Sequence, residues 1–183
     1  MQTLRKHLRA ATSAQHERVD AAYSAFDLGQ RSGYRAFLSA HAQILLPLEA
    51  ELERSGIESM LDDWSQRRRG TALLCDLADM DGTPPAPLLE HASKPAGWCW
   101  GAAYVLEGSR LGGRVLAKRV GDADPSAPLR YLTHSSESPL WLRFLEKLEE
   151  QGPAYPWSDL LAGANDTFVR FLEAAQTHRP QRP

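Results

Sequence analysis

The chain has 183 residues, 43% of them apolar and 24% charged, with a formal net charge of −2. That length supports one domain with a substantial core, and the composition is that of an ordinary globular protein. Near-neutral charge excludes the broad basic footprint of a nucleic-acid binder, and no run of about 18 apolar residues offers a membrane span.

The N-terminus, Met1 to His7, lacks an apolar segment followed by a small-residue cleavage site, so a cytoplasmic protein is expected. Residues 3–24 read as a helix, with Thr3 as N-cap and Leu4, Leu8, Ala11, Ala14, Val19 and Ala22 recurring at three- to five-residue steps. After a polar connection, Tyr34, Phe37, Leu38, His41, Ile44, Leu45, Leu48 and Leu52 follow the helical template, which predicts a long core-facing helix over 32–54. Pro47 lies inside it and predicts a kink. A helix over 63–79 follows, with Trp64, Leu73, Leu74 and Leu77 inward, and 79–87 is a loop by its Gly and Pro content. Residues 95–120 form a further helix, 121–128 a second loop, and 138–151 and 157–177 the last two helices. The residues from Pro180 to Pro183 read as a frayed tail. With no competing strand pattern, these six or seven helices define an all-α bundle in a single domain, ordered over about 3–177, of the kind that builds ligand sites between facing helices.

Two features look bland. The only basic run, Arg67-Arg68-Arg69, reads as a solvated helix face, with docking of an acidic partner as the alternative. Cys75 and Cys99 make neither a metal spacing nor a disulfide framework, and Cys99, between Trp98 and Trp100, reads as a small buried hydrophobe.

Two stretches are not bland. In Tyr104-Val-Leu-Glu-Gly108-Ser-Arg-Leu-Gly112-Gly113, three glycines fall within six helical positions, each costing about 0.5–1 kcal/mol relative to alanine. Gly108 and Gly112 share nearly one face, which is therefore bare backbone. Bare backbone serves close packing of another helix or the floor under a broad flat ligand, and the stretch alone leaves both open. Near the N-terminus, Asp20 lies one turn beyond His16 on the same side, where a carboxylate takes the proton of one ring nitrogen and leaves the other basic. Arg9 lies seven residues before His16, on nearly the same face. An ordinary polar stripe explains this trio about as well as a ligand site does. His41 sits on the apolar face of its helix without a carboxylate neighbour and reads as a core residue. His91, His134 and His178 lie in or near loops and the tail.

Taken together, Ala11-Thr-Ser-Ala-Gln-His16-Glu-Arg-Val-Asp20 and the glycine stretch resemble the proximal and distal helices of heme oxygenases, most closely the bacterial, biliverdin-forming branch often found beside bacteriophytochromes. The resemblance implies a heme oxygenase-like helical bundle. It implies His16 as the axial ligand of heme iron, Asp20 as the carboxylate that orients it, and Gly108, Ser109, Gly112 and Gly113 as the distal floor. It also implies Arg9, Tyr104 and Arg170 as contacts of the heme propionates. Ser109 stands where animal-type members carry an aspartate that holds distal water, so that water must be organised by Ser109, by backbone groups or from elsewhere in the fold. Heme is then both cofactor and substrate, opened to biliverdin, carbon monoxide and ferrous iron with O2 and electrons from a ferredoxin or reductase. A biliverdin-accepting photoreceptor is the implied recipient. The alternatives are a non-enzymatic heme carrier in the same pocket, a thiaminase-like hydrolase and a di-iron oxidase. The hydrolase lacks a cysteine in an activating sequence setting, and the oxidase lacks inward Glu-x-x-His pairs.

Overall fold

A computed structural model describes residues 3–86, 92–135 and 138–179, and among these there is no strand. The helices are α1 (Leu4–Tyr23), α2 (Arg31–Arg54), α3 (Ile57–Met60), α4 (Trp64–Arg67), α5 (Gly70–Asp79), α6 (Ala96–Ala123), α7 (Leu140–Gln151) and α8 (Trp157–His178). No described helix is long and apolar enough to cross a membrane. Pro180–Pro183 and His91 lie outside the described residues.

Side-chain chemistry explains most boundaries. Thr3 Oγ1 accepts from the Lys6 N–H and opens α1. The helix α2 runs through Pro47 to Arg54, and Gly56, at φ +85°, turns the chain into α3. The expected helix over 63–79 is two pieces, α4 and α5, because the N-terminus of α5 is capped from outside. Glu49 of α2 accepts from Arg69 N–H at 2.7 Å and Gly70 N–H at 3.1 Å. A carboxylate there satisfies donors that have no partner inside the helix and meets the positive end of its dipole. Burial pushes the Glu49 carboxyl up from its ordinary range, and these N–H bonds pull it back.

The core follows the predicted apolar faces. Leu38, Leu45, Leu48 and Leu52 of α2 are fully enclosed with Leu73 and Leu77 of α5, Phe144 and Leu148 of α7 and Leu160 and Ala164 of α8. Cys99 is buried, as its aromatic setting suggested, and Cys75 is exposed. The central contact is between α6 and α8, and it is made of backbone. A Cβ on Gly101 would run into Leu160 O, and a Cβ on Gly163 would run into Trp98 O. The two axes therefore approach as closely as helices can, and α8 also packs against α1 and α2.

The helix α1 is the exception to good coverage. Leu8 and Thr12 are its buried residues, while Ala11 and Ala14, read from the sequence as inward, are exposed. Part of its apolar face thus has no helix of the described residues against it.

Gly101→Ala should cost about 1–3 kcal/mol, because overpacking of a rigid contact cannot relax through a flexible side chain. Urea unfolding should show a lower midpoint with an unchanged slope.

Candidate functional site

The sequence spacing puts His16 and Asp20 on one side of α1, and the side chains meet. His16 Nδ1 lies 3.0 Å from Asp20 Oδ2, and the histidine side chain is 63% exposed. With Nδ1–H donated to the carboxylate, Nε2 carries the free lone pair. The edge of the ring faces Phe168 of α8, centroids 6.0 Å apart.

The helix α6 runs unbroken through its glycines, and they divide by use. A Cβ on Gly113 would lie 2.5 Å from Leu132 O, so this glycine serves packing. The segment it receives is fastened from behind: Asp76 Oδ2 accepts from Tyr131 N–H at 2.8 Å, and Tyr34 donates to Pro128 O at 2.8 Å. A Cβ on Gly112 would meet nothing within 4 Å, and one on Gly108 would touch only the Trp141 ring, at 3.7 Å. Leu111 and Val115, on the same helical stripe, are 60% and 72% exposed. Gly108, Leu111, Gly112 and Val115 thus form an apolar surface that no element among the described residues covers.

The helix α8 serves as a ruler between the two walls. His7 meets Trp157 and His16 meets Phe168 along α1, while Gly97 meets Asp159 and Gly101 meets Leu160 and Ala164 along α6. All three helices therefore run in the same direction. His16 therefore packs on α8 at Phe168, one to two turns beyond the residues that meet Gly101. At the near end stands Tyr104, half-buried, against Trp141 at 5.8 Å. Burial pushes its hydroxyl up, and the charges of Arg5 and Arg9 pull it back. Arg5, which the sequence did not single out, lies over Trp141 at 5.9 Å. Two cations and a phenol thus gather at one end of the groove between α1 and α6.

Arg170 is not among them. Its guanidinium is bound to Glu51 at 2.7 Å and Asp166 at 2.9 Å and lies over Trp98. Trp98 is ten residues before Gly108, about 15 Å along the helix. The Arg170 guanidinium is therefore already held by carboxylates of α2 and α8.

The basic run is also corrected: Arg68 is exposed, but Arg67 and Arg69 are only 1% and 5% exposed. Arg67 grips Asp63 with Nε (2.5 Å) and Nη2 (2.8 Å), reaches Glu107 with Nη1 (2.6 Å) and donates to Leu140 O (3.0 Å). Arg110 shares Glu107 and donates to Arg67 O. This network ties α4, α6 and the start of α7 together immediately beside Gly108. Arg69 Nη2 donates to Ser109 Oγ and to Leu106 O, each at 2.9 Å. Ser109 Oγ in turn donates to Leu106 O at 2.7 Å, so its single hydrogen is spent on the backbone. Arg69 is thus the outside residue that organises Ser109.

Behind this face lies a cavity of about 290 Å³ between α2, α6 and the segment before α7, with His41, Arg69, Ser109, Arg110 and Tyr131 on its wall. His41 is held by aromatic rings, Phe37 at 4.1 Å and Tyr23 at 4.7 Å, and its Nδ1–H donates to Phe37 O at 2.9 Å. Burial drives its pKa from 6.5 down to about 4; the Phe37 bond opposes this shift and the Arg69 charge adds to it. It is a core histidine with one edge on a cavity. Among the described residues no three His, Cys, Asp or Glu side chains converge as a metal site.

No family model matches the chain. Its architecture is that of the heme oxygenase of Neisseria meningitidis, solved with NO and with CO bound: the TM-score is 0.82 at 20% identity, over 97% of this chain and 92% of that one. Fold and groove together define an all-α protein of the heme oxygenase architecture. The sequence is 33% identical over 146 residues to a heme oxygenase of Xanthomonas campestris pv. campestris (strain 8004), spanning 75% of this chain and 86% of that protein. The chain belongs to the heme oxygenase family.

Two predictions follow from the glycines and from His41. Gly112→Ala should stabilise the ligand-free protein by about 0.5–1 kcal/mol through helix propensity, whereas Gly113→Ala should destabilise it, both read by denaturant unfolding. His41 contributes full stability above its ordinary pKa of 6.5, and this is lost as pH falls toward about 4, because the unfolded chain takes up the proton first. Stability should therefore decline more steeply across that window in the wild type than in His41→Gln.

Proposed function

We propose that this chain is a heme oxygenase that binds heme in the groove between α1 and α6 and opens it to biliverdin, carbon monoxide and ferrous iron. The observation that carries the reading is the uncovered stripe Gly108–Leu111–Gly112–Val115 on α6, together with an exposed histidine on α1 whose Nδ1 meets Asp20. A flat apolar ligand is what such a pair of surfaces lacks.

Each residue has a task in this reading. His16 Nε2 offers its lone pair to the iron, and Asp20 fixes the tautomer and the ring. Gly112 adds no side chain, so it would leave bare backbone toward a bound ligand, and Leu111 and Val115 would offer that ligand apolar surface. Arg5, Arg9 and Tyr104 would hold the propionates, their charges and hydroxyl being gathered at one place. The stripe itself carries no acid or base that would assist cleavage of an oxygen–oxygen bond. Ser109 can accept but not donate while its hydrogen is held by Leu106 O, so Arg69 sets the direction of any water that binds there. Heme, when bound, supplies the redox-active iron and the carbon framework that is oxidised.

Dioxygen and electrons from a ferredoxin or reductase complete the reaction, and a biliverdin-accepting photoreceptor is the recipient that fits the bacterial branch. Residues 1–183 act as one domain in this reading. Two free thiols, Cys75 and Cys99, fit a cytoplasmic setting.

Titration with hemin tests the site. The wild type should give the spectrum of imidazole-ligated heme, and His16→Ala should lose it and recover it on addition of free imidazole. With oxygen and a reductant, heme absorption should give way to that of biliverdin. Gly112→Leu should slow this at least about tenfold (about 1.4 kcal/mol in barrier) with no loss of unfolding midpoint. Hemin binding with no biliverdin formed would leave a carrier rather than an enzyme.

A further inference from the structure

The helix α7 packs against both α1 and α6, and one of its side chains touches both walls of the groove. Trp141 carries the Arg5 guanidinium of α1 over its ring at 5.9 Å and meets the Tyr104 ring of α6 at 5.8 Å. The outer edge of its six-membered ring faces Gly108, where a Cβ would lie 3.7 Å from Cη2 and 3.9 Å from Cζ3. Tyr104, Gly108 and Gly112 follow one another along nearly one face of α6, each about 6 Å beyond the last. The indole therefore stands by the first two and stops short of the third, where a Cβ would meet nothing within 4 Å.

This indole is held from behind. It stacks on Phe144, centroids 5.8 Å and planes 18° apart, and Phe144 meets Trp100 at 5.8 Å. Phe144 and Trp100 are fully enclosed, so the half-buried Trp141 is the outermost ring of a stack rooted in the core. Displacing it would give up aromatic contacts as well as buried area. The same helix fixes Arg5 a second time, because Glu149 accepts from the Leu4 and Arg5 N–H groups, each at 2.9 Å. The start of α1 is thus tied to α7 by backbone and by guanidinium.

We propose that Trp141 is a positioning residue, an end-stop of the groove that sets how heme is seated along α6 and turned in its plane. The inference rests on the heme reading and deepens it. A flat ligand lying on Gly112 can slide toward Tyr104 only until its rim meets the indole, and the indole cannot yield without breaking its stack. The ring also carries Arg5, so a cation suited to a propionate is placed relative to the stop. How far the plate reaches and where its acidic groups are met are then set by one side chain. The edge of the macrocycle that is opened follows from that seating.

Two measurements test this on Trp141→Leu and on Trp141→Phe. The phenylalanine variant keeps a ring against Phe144 but withdraws the edge from Gly108, and it decides the matter if the leucine variant does not fold. The first measurement is proton NMR of the hemin–cyanide complex, where the shifts of the heme methyl groups report how the macrocycle is turned. Both variants should differ from the wild type in this pattern. The second is chromatography of the biliverdin isomers formed with oxygen and a reductant. The ratio of the major isomer to the others should change at least about tenfold in Trp141→Leu, about 1.4 kcal/mol between competing barriers. A merely structural role would lower the unfolding midpoint or the yield and leave the methyl pattern and the isomer ratio unmoved. That result in folded variants that bind hemin overturns the proposal and leaves the heme reading standing. Wild type that takes up no hemin sinks the heme reading, and the end-stop with it.

Discussion

The backbone contact between α6 and α8 at Gly101 and Gly163 is the constraint from which the rest of the site follows. Helices that touch through glycine lie close and slide little, because there is no side chain to change rotamer. That contact fixes the axial level of everything farther along α6, including the stripe at Gly108 and Gly112. Since α1 also packs on α8, the level of His16 is set by the same helix. The groove between α1 and α6 is what remains when two helices share a third but do not cover one another.

A second device holds the far side of α6. Arg67 joins α4, α6 and the start of α7 through Asp63, Glu107 and Leu140 O, at the residue immediately before Gly108. Glycines give a helix little stiffness of its own, so the ligand-facing segment takes its rigidity from what it is tied to. Leu132 O against Gly113 does the same from the next turn. Open space at Gly112 is therefore bordered on both sides by firmly held backbone, which suits a surface that must stay bare.

Much of this was legible from local pattern. The helices of residues 3–24, 32–54, 138–151 and 157–177 follow from apolar periodicity and lie within a residue or two of those boundaries. His16 and Asp20 meet because four residues make nearly one helical turn, which spacing alone can say. The glycines could not be sorted in this way: Gly112 is open and Gly113 is packed, yet they are neighbours in sequence, and only the 129–135 segment distinguishes them. Arg67 and Arg69 were hidden for the same reason. Their partners Glu107 and Ser109 lie 40 residues away, and a triple-arginine run carries no mark of burial.

Leu111 and Val115 have one more consequence. A stripe of this kind facing water is a liability for the empty polypeptide, since apolar patches on a helix recruit one another between molecules. A ligand that covers the stripe removes that hazard and shifts the balance toward the native chain by mass action. In a cell that degrades exposed or associating chains, the lifetime of this polypeptide is then coupled to the supply of what it binds, and the pool of functional molecules grows when there is work for them to do.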